Sequence, residues 1–199
     1  SIRLPIPCSL SKDLKKSLIK LSVIIPSRDE AENLRGCINK IAQSLTDHCI
    51  ENEILVIDDG SSDNTAEIVK DLRVQFPSVI YIPNKGENGF GRATRLGLQE
   101  FTGDAVAIMM ADLSDSSQDL VRYWQKLQEG HECVFGSRFV PGGQVIDYPK
   151  AKLLANRIVN TAIRFAFNIP CNDITNAFKI YRREVIEGCQ PFISPHFNL

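Results

Sequence analysis

Four short apolar runs punctuate the first half of the chain: LSVIIP (21–26), EILVID (53–58), VIYI (79–82) and DAVAIMM (104–110). Each is rich in β-formers or wholly apolar, and each gives way to polar turn residues, which predicts buried strands. Between them the apolar positions fall on a helical period. Leu34, Ile38, Ile41 and Leu45 share a face within 30–45; Ile68, Val69 and Leu72 do so within 64–75, and Leu96, Leu98 and Phe101 within 92–101. Ser27, three residues before Glu30, and the cluster Ser61-Ser62-Asp63-Asn64 offer side chains that satisfy free N–H groups of a first helical turn, so both mark helix starts. Strand and helix in alternation predict an α/β fold. Its sheet is mainly parallel and covered on both faces, and ligands bind beyond the carboxyl ends of the strands.

Past Asp112 the pattern loosens. It predicts a helix near 117–129, a strand CVFGSR (133–138), a loop VPGGQ (140–144) and a long helix near 151–167. AFKIYRR (177–183) reads as one more strand, edge-like or antiparallel. No internal repeat or linker interrupts the chain, so residues 21–199 are expected to form one domain behind an N-terminal extension, 1–20.

Composition narrows the classes without naming one. At 199 residues, 43% hydrophobic and 24% charged, the chain suits one globular domain. A net charge of -1 argues against a nucleic-acid binder, so an anionic ligand needs a local site. The six cysteines form no C-x-x-C pair and show no zinc spacing with histidine, which suits reduced thiols and a cytoplasmic setting. No apolar stretch approaches the ~20 residues that span a bilayer. SKDLKKSLIK (11–20) is basic and weakly amphipathic, which fits peripheral contact with anionic lipid, or more simply a solvated leading helix.

The candidate chemistry gathers where strands end. Pro26-Ser27-Arg28-Asp29-Glu30 follows the first strand and Asp58-Asp59-Gly60-Ser61-Ser62-Asp63 the second, placing acceptors where a base or sugar hydroxyl needs them. For Ser27, Asp29 and Ser62 helix capping explains the residue equally well; for Asp59 a ligand role is favoured. Asn88-Gly89-Phe90-Gly91-Arg92 combines close backbone approach with a cation and a helix start, a weak phosphate signal that lacks the third glycine of a dinucleotide fingerprint. The strongest local feature is DAVAIMM running into Ala111-Asp112-Leu113-Ser114-Asp115-Ser116. Mg2+ or Mn2+ takes hard oxygen ligands and bridges to substrate phosphates, so few protein ligands suffice. Asp112 is the first choice, with Ser114 and Asp115 as further ligands, while Asp115 and Ser116 are equally well explained as caps of the next helix. Arg138, Lys150 and Lys152 offer cations to a phosphate, although a solvated surface charge is the simpler account of Lys150. Asp173 reads as a general base or a turn former.

In order, SVIIPSRDEAENL, EILVIDDGSSDNT, NGFGRATRLGL, VAIMMADLSDSSQDL, FGSRFVPGG and NDITNAFKIYRR resemble the serial motifs of family 2 glycosyltransferases, closest to the dolichol- and polyprenol-phosphate mannose synthase branch. The resemblance spans about residues 21–183. It implies a GT-A fold, a nucleotide-diphospho-sugar donor, a divalent metal and inversion at the anomeric carbon. Donor contacts then fall on Pro26, Ser27, Glu30, Asp59, Gly91, Arg92, Ala111 and Asp112. Asp59 corresponds to the acid that reads the base, and Asp112 to the last Asp of the D-x-D signature. Arg138 corresponds to the arginine that the branch associates with the acceptor phosphate, and Lys152 falls where a second such cation is expected. If the acceptor is a polyprenyl phosphate it needs positioning more than a base, which ranks both above Asp173 on the acceptor side; a hydroxyl acceptor would reverse that ranking.

Three positions depart from the branch. Met110 stands at the first D-x-D position, Arg28 replaces the common tyrosine after the first strand, and Thr175-Asn176-Ala177-Phe178-Lys179 replaces T-S-G-F-R. Met110 supports a competing expectation, a catalytically degenerate nucleotide-binding or partner-binding domain. Ser27, Asp59, Asp112 and Arg138 are expected to meet around one cleft. Because the chain ends in SPHFNL, the catalytic domain is also expected to continue beyond it, on the side that encloses the acceptor.

Overall fold

The structure is a computed structural model that describes residues 18–137, 150–168 and 173–192, without the side chains at 150–153 and 167. Most of the basic segment 11–20 lies outside the described residues. The chain divides into two compact units, residues up to 134 with those from 180 onward, and residues 135–179.

The first unit follows the alternation of the sequence. Its elements are β1 (Lys20–Ser27), α1 (Ala31–Asp47), β2 (Glu51–Asp58), α2 (Thr65–Gln75), β3 (Val79–Pro83), α3 (Phe90–Glu100), β4 (Ala105–Ile108) and α4 (Ser117–Gln128). The strand order is β3-β2-β1-β4-β6-β5, where β5 (Cys133–Phe135) and β6 (Lys179–Arg182) run across the boundary between the units. β1 pairs in parallel with both β2 and β4, and β2 pairs in parallel with β3. Leu21 through Ser27 are all buried, and in a strand successive side chains face opposite sides, so β1 must be covered on both faces. α3 packs on β1 and β2, while α1 packs against α2 and α4. The core is aliphatic: Leu21, Ile24, Ile25, Leu34, Ile38, Ile54, Leu55 and Ile57 are at most 1% exposed.

Three expectations need correction. Ser27 does not cap α1. It is the last residue of β1, its Oγ is buried without a hydrogen-bond partner, and the cap position is held by Glu30. The strand extends one residue beyond the apolar run because β2 pairs with it as far as Ser27↔Asp58. β6 is not an edge strand, since it lies between β4 and β5. It is antiparallel to β5: Arg182 N–H donates to Glu132 O (3.0 Å) and Gly136 N–H to Phe178 O (3.0 Å), so residue numbers rise along one strand as they fall along the other. Finally, the strand expected through 138 stops at Phe135.

In the second unit α5 (Lys150–Phe167) carries four basic residues, Lys150, Lys152, Arg157 and Arg164, and no acidic one. Leu154, Ile158 and Phe165 recur at helical spacing on one side and are all exposed, Phe165 by 82%. Asn160 is buried and holds the chain beyond the helix: its Nδ2 donates to Thr175 Oγ1 (3.0 Å), and Thr175 N–H donates to its Oδ1 (3.2 Å). The last helix among the described residues, α6 (Arg183–Gly188), belongs to the first unit.

Candidate active site

Because β2 and β4 both run parallel to β1, the residues that follow all three strands emerge at one edge of the sheet. That edge carries Pro26 and Ser27 at the end of β1 with Asp29 and Glu30 after it, Asp58 at the end of β2 with Asp59 and Asp63 after it, and Ala111, Asp112, Ser114 and Asp115 after β4. The turn after β3 arrives at the same edge, since β3 is parallel to β2, and leads into Gly89, Gly91 and Arg92.

The loops after β1 and β2 are joined by acid side chains. Asp29, at φ 54, accepts from Ser62 N–H (2.7 Å) and Ser62 Oγ–H (3.0 Å) on Oδ1, while its own N–H donates to Ser61 Oγ (3.1 Å). The Ser62 N–H holds its carboxyl below the usual range, with help from the Ser62 hydroxyl. Asp63 serves two helix starts at once, accepting from Thr65 N–H (3.0 Å) and Thr65 Oγ–H (2.6 Å) on Oδ1 and from Ala31 N–H (3.0 Å) on Oδ2. The capping predicted for the Ser61–Asn64 cluster therefore falls mainly to Asp63. Glu30 accepts from Asn33 Nδ2 (3.0 Å).

Asp58, the last residue of β2, and Asp59, just beyond it, are a buried pair with separate partners. Asp58 accepts from Ser61 N–H (2.8 Å) and from the Tyr81 hydroxyl. Burial and that bond push the Tyr81 hydroxyl up to about 12. Asp59, 4% exposed, accepts from Asn84 Nδ2 on Oδ1 and from Gly89 N–H on Oδ2, both at 2.7 Å. Gly89 precedes α3 with φ 148, a conformation that side chains disfavour, which explains the glycine there. Gly91 is buried in the first turn of α3. Arg92 pairs with Glu87 and donates to Asn88 O (3.1 Å), so a phosphate would have to compete for it.

After β4 the chain turns sharply, with Leu113 at φ 64. Asp112 is exposed, and its Oδ1 accepts from Ser114 N–H (3.0 Å). Asp115 accepts from the N–H of Met110 (2.8 Å), which fixes the main chain at the first D-x-D position. Ser116 caps α4 by accepting from Asp119 N–H (3.3 Å). Ala111 is buried beneath the turn, and Ser114 is exposed. Cys37 lies behind it, its thiol pushed up to about 12 by burial and by the nearby Asp115 and Asp112. Among the described residues no group of three or more His, Cys, Asp or Glu side chains stands ready to hold a metal. The exposed Asp112 carboxylate is the kind of hard oxygen donor that Mg2+ or Mn2+ takes, and the turn offers no all-protein cage among the described residues.

Of the acceptor-side residues, Arg138 lies outside the described residues, and for Lys152 the backbone alone is described, within the first turn of α5. Asp173 is fully buried in the second unit, and its carbonyl accepts from Asn176 N–H (3.2 Å), closing a turn. Sequence reasoning missed Asn84 and Tyr81, the partners of the acid pair. A polar side chain just after a strand that precedes a glycine turn was the available signal for Asn84.

A parallel sheet with acids from three strand ends at one edge defines an α/β protein with a ligand site outside the carboxyl ends of its strands. The family model for glycosyl transferase family 2 matches residues 22–189, and the chain belongs to that family. It is 33% identical over 169 residues to the polyprenol monophosphomannose synthase of Mycolicibacterium smegmatis, a match that covers 83% of this chain and 62% of the relative. It is 32% identical over 179 residues to the dolichol-phosphate mannosyltransferase of Pyrococcus furiosus, covering 86% of this chain and 49% of the relative. The chain thus spans about half to three fifths of the length of these two relatives. Among solved structures, the mannosyltransferase PcManGT from Pyrobaculum calidifontis in complex with GDP-Man and Mn2+ is similar in fold, with a TM-score of 0.58 at 17% identity over 91% of this chain and 49% of that one. The GT-A architecture implied by the motifs is therefore the architecture of this chain.

Proposed function

We propose that this chain is the nucleotide-sugar-binding catalytic part of an inverting, metal-dependent glycosyltransferase whose acceptor is a polyprenyl phosphate. The observation that carries the reading is the convergence of Asp59 and Asp112 on one sheet edge, from strands that both parallel β1. The names of the two curated relatives support the acceptor, and the GDP-Man and Mn2+ of the solved relative support the donor class and the metal.

Asp59, as a carboxylate, can only accept, so it selects a base edge that offers an N–H. Asp112 holds the Mg2+ or Mn2+ ion, which when bound neutralises the diphosphate leaving group. Ser27 ends β1 beside Asp59, whose N–H donates to Ser27 O (2.8 Å), and that strand-end position supports a donor contact. Arg138 and Lys152 hold the acceptor phosphate, which attacks the sugar carbon from the side opposite the leaving group. Such an acceptor lives in a membrane. No helix among the described residues is long and apolar enough to cross one. The exposed apolar side of α5, on a helix without acids, is suited to lie on an anionic bilayer surface.

The test is sugar transfer by the full-length protein from GDP-, UDP- and dTDP-sugars to polyprenyl phosphate carried in anionic vesicles. Transfer is expected with one donor class, and Leu154→Asp with Ile158→Asp should lower transfer to vesicle-borne acceptor while nucleotide affinity holds. Donor binding without transfer to any acceptor would favour the degenerate binding domain that Met110 suggests.

A further inference from the structure

Asn84 is more constrained than a turn residue needs to be. Its main-chain N–H donates to Asp58 O (2.8 Å), and its side-chain carbonyl accepts from Gly86 N–H (3.0 Å), the bond that closes an Asx turn. The side-chain amide then spends its remaining donors on Asp59 Oδ1 (2.7 Å) and Glu87 O (3.1 Å). All the polar atoms of Asn84 that can position a neighbour are therefore engaged, and its rotamer is locked. Gly89 N–H holds the other Asp59 oxygen, and Asn88 seals the same turn, its side chain lying 3.0 Å from where Gly60 would carry a Cβ. A carboxylate oxygen accepts about two hydrogen bonds, so each Asp59 oxygen keeps one position for a ligand, in a direction set by the bond already made.

We infer that Asn84 is a positioning residue for base recognition, orienting the Asp59 carboxylate toward the N–H groups of the nucleotide base. This rests on the reading that Asp59 meets the base. Rotation about the last side-chain bond of an aspartate is soft, so without the Asn84 amide the carboxylate loses its fixed direction and with it the discrimination between bases. The Asx turn by itself does not explain the bond to Asp59, and one substitution separates the two roles. Asn84→Asp keeps an oxygen for Gly86 N–H but replaces the donated amide with a second carboxylate facing Asp59.

The experiment is calorimetric titration of the full-length protein, with Mn2+, using GDP, UDP, dTDP, CDP and ADP, and inorganic pyrophosphate as a base-free probe. The wild type should prefer a nucleotide whose base offers a ring N–H, GDP or UDP and dTDP, over CDP and ADP. Asn84→Asp should reduce that preference about tenfold or more, the size expected for a hydrogen bond to a charged group, with pyrophosphate affinity unchanged. Asn84→Ala should cost nothing further once Asp59→Asn is in place. An Asn84→Asp protein that keeps the wild-type preference would overturn the inference and leave the nucleotide reading standing. A wild type that binds no nucleoside diphosphate more tightly than pyrophosphate would overturn the nucleotide reading, and the inference with it.

Discussion

Glu53 shows how a single buried acid can serve the fold rather than the chemistry. It sits near the start of β2, far along the strand from Asp58, and is 3% exposed. Its Oε1 accepts from Ser22 Oγ–H and Thr102 N–H, both at 2.6 Å, and its Oε2 from Lys20 Nζ and Thr102 Oγ–H, both at 2.7 Å. Burial alone would raise its pKa, but these four donors outweigh it and bring the carboxyl from 4.5 to about 2. A group depressed on folding stabilises the native state above its unfolded value and loses that contribution as pH falls from about 4.5 through 2. The shift corresponds to about 3 kcal/mol. Glu53→Gln should therefore lower the unfolding free energy at pH 7 by about that amount, and the gap to wild type should shrink by about 2 kcal/mol at pH 3, measured by urea denaturation. A gap of equal size at both pH values would contradict this account. At this scale the sequence showed where the acids lie and not what they bond to. That Asp59 lies at a strand end was legible because it follows a buried run, whereas the pairing of Glu53 with Thr102, 49 residues away, leaves no local trace.

At the scale of elements, the apolar pattern located β1 to β4 and α1 to α4, because burial on both faces demands continuous apolar runs and one-sided helices demand a 3.6-residue period. Where it failed was AFKIYRR, expected as edge-like or antiparallel: the strand is antiparallel but interior, and Arg182 is 2% exposed, with its guanidinium donating to the carbonyls of His131 (2.9 Å) and Leu127 around the end of α4. A cation placed against the last carbonyls of a helix is well satisfied without water. The packing of α3 on β1 is tight in a way the pattern also hides: a Cβ at Gly97 would lie 2.6 Å from Ile24 Cγ2. Gly97→Ala should destabilise the protein by about 1–3 kcal/mol through overpacking. Gly188→Ala, where a Cβ meets nothing within 4 Å, serves as the control and should fall within about 0.5 kcal/mol of wild type. Equal stability of both variants in thermal denaturation would mean that α3 and β1 are free to separate.

For the molecule as a whole, the order of motifs carried the family and the fold, since six motifs in the same order leave few architectures open. The division into two units and the exposed apolar side of α5 were not read from the chain. An amphipathic helix looks the same in sequence whether its apolar side meets a sheet or is left open. The metal contact is the least redundant part of the proposed function. Asp115 spends an oxygen on the Met110 main chain, which leaves the exposed Asp112 as the principal carboxylate of the turn for a cation shared with a diphosphate. The most direct test is calorimetric binding of the preferred nucleoside diphosphate by wild type and Asp112→Ala, each with and without Mn2+. The account predicts that Mn2+ tightens binding by wild type about tenfold or more, and that Asp112→Ala binds equally with and without the ion while keeping its fold. Full metal-dependent tightening in Asp112→Ala would contradict it.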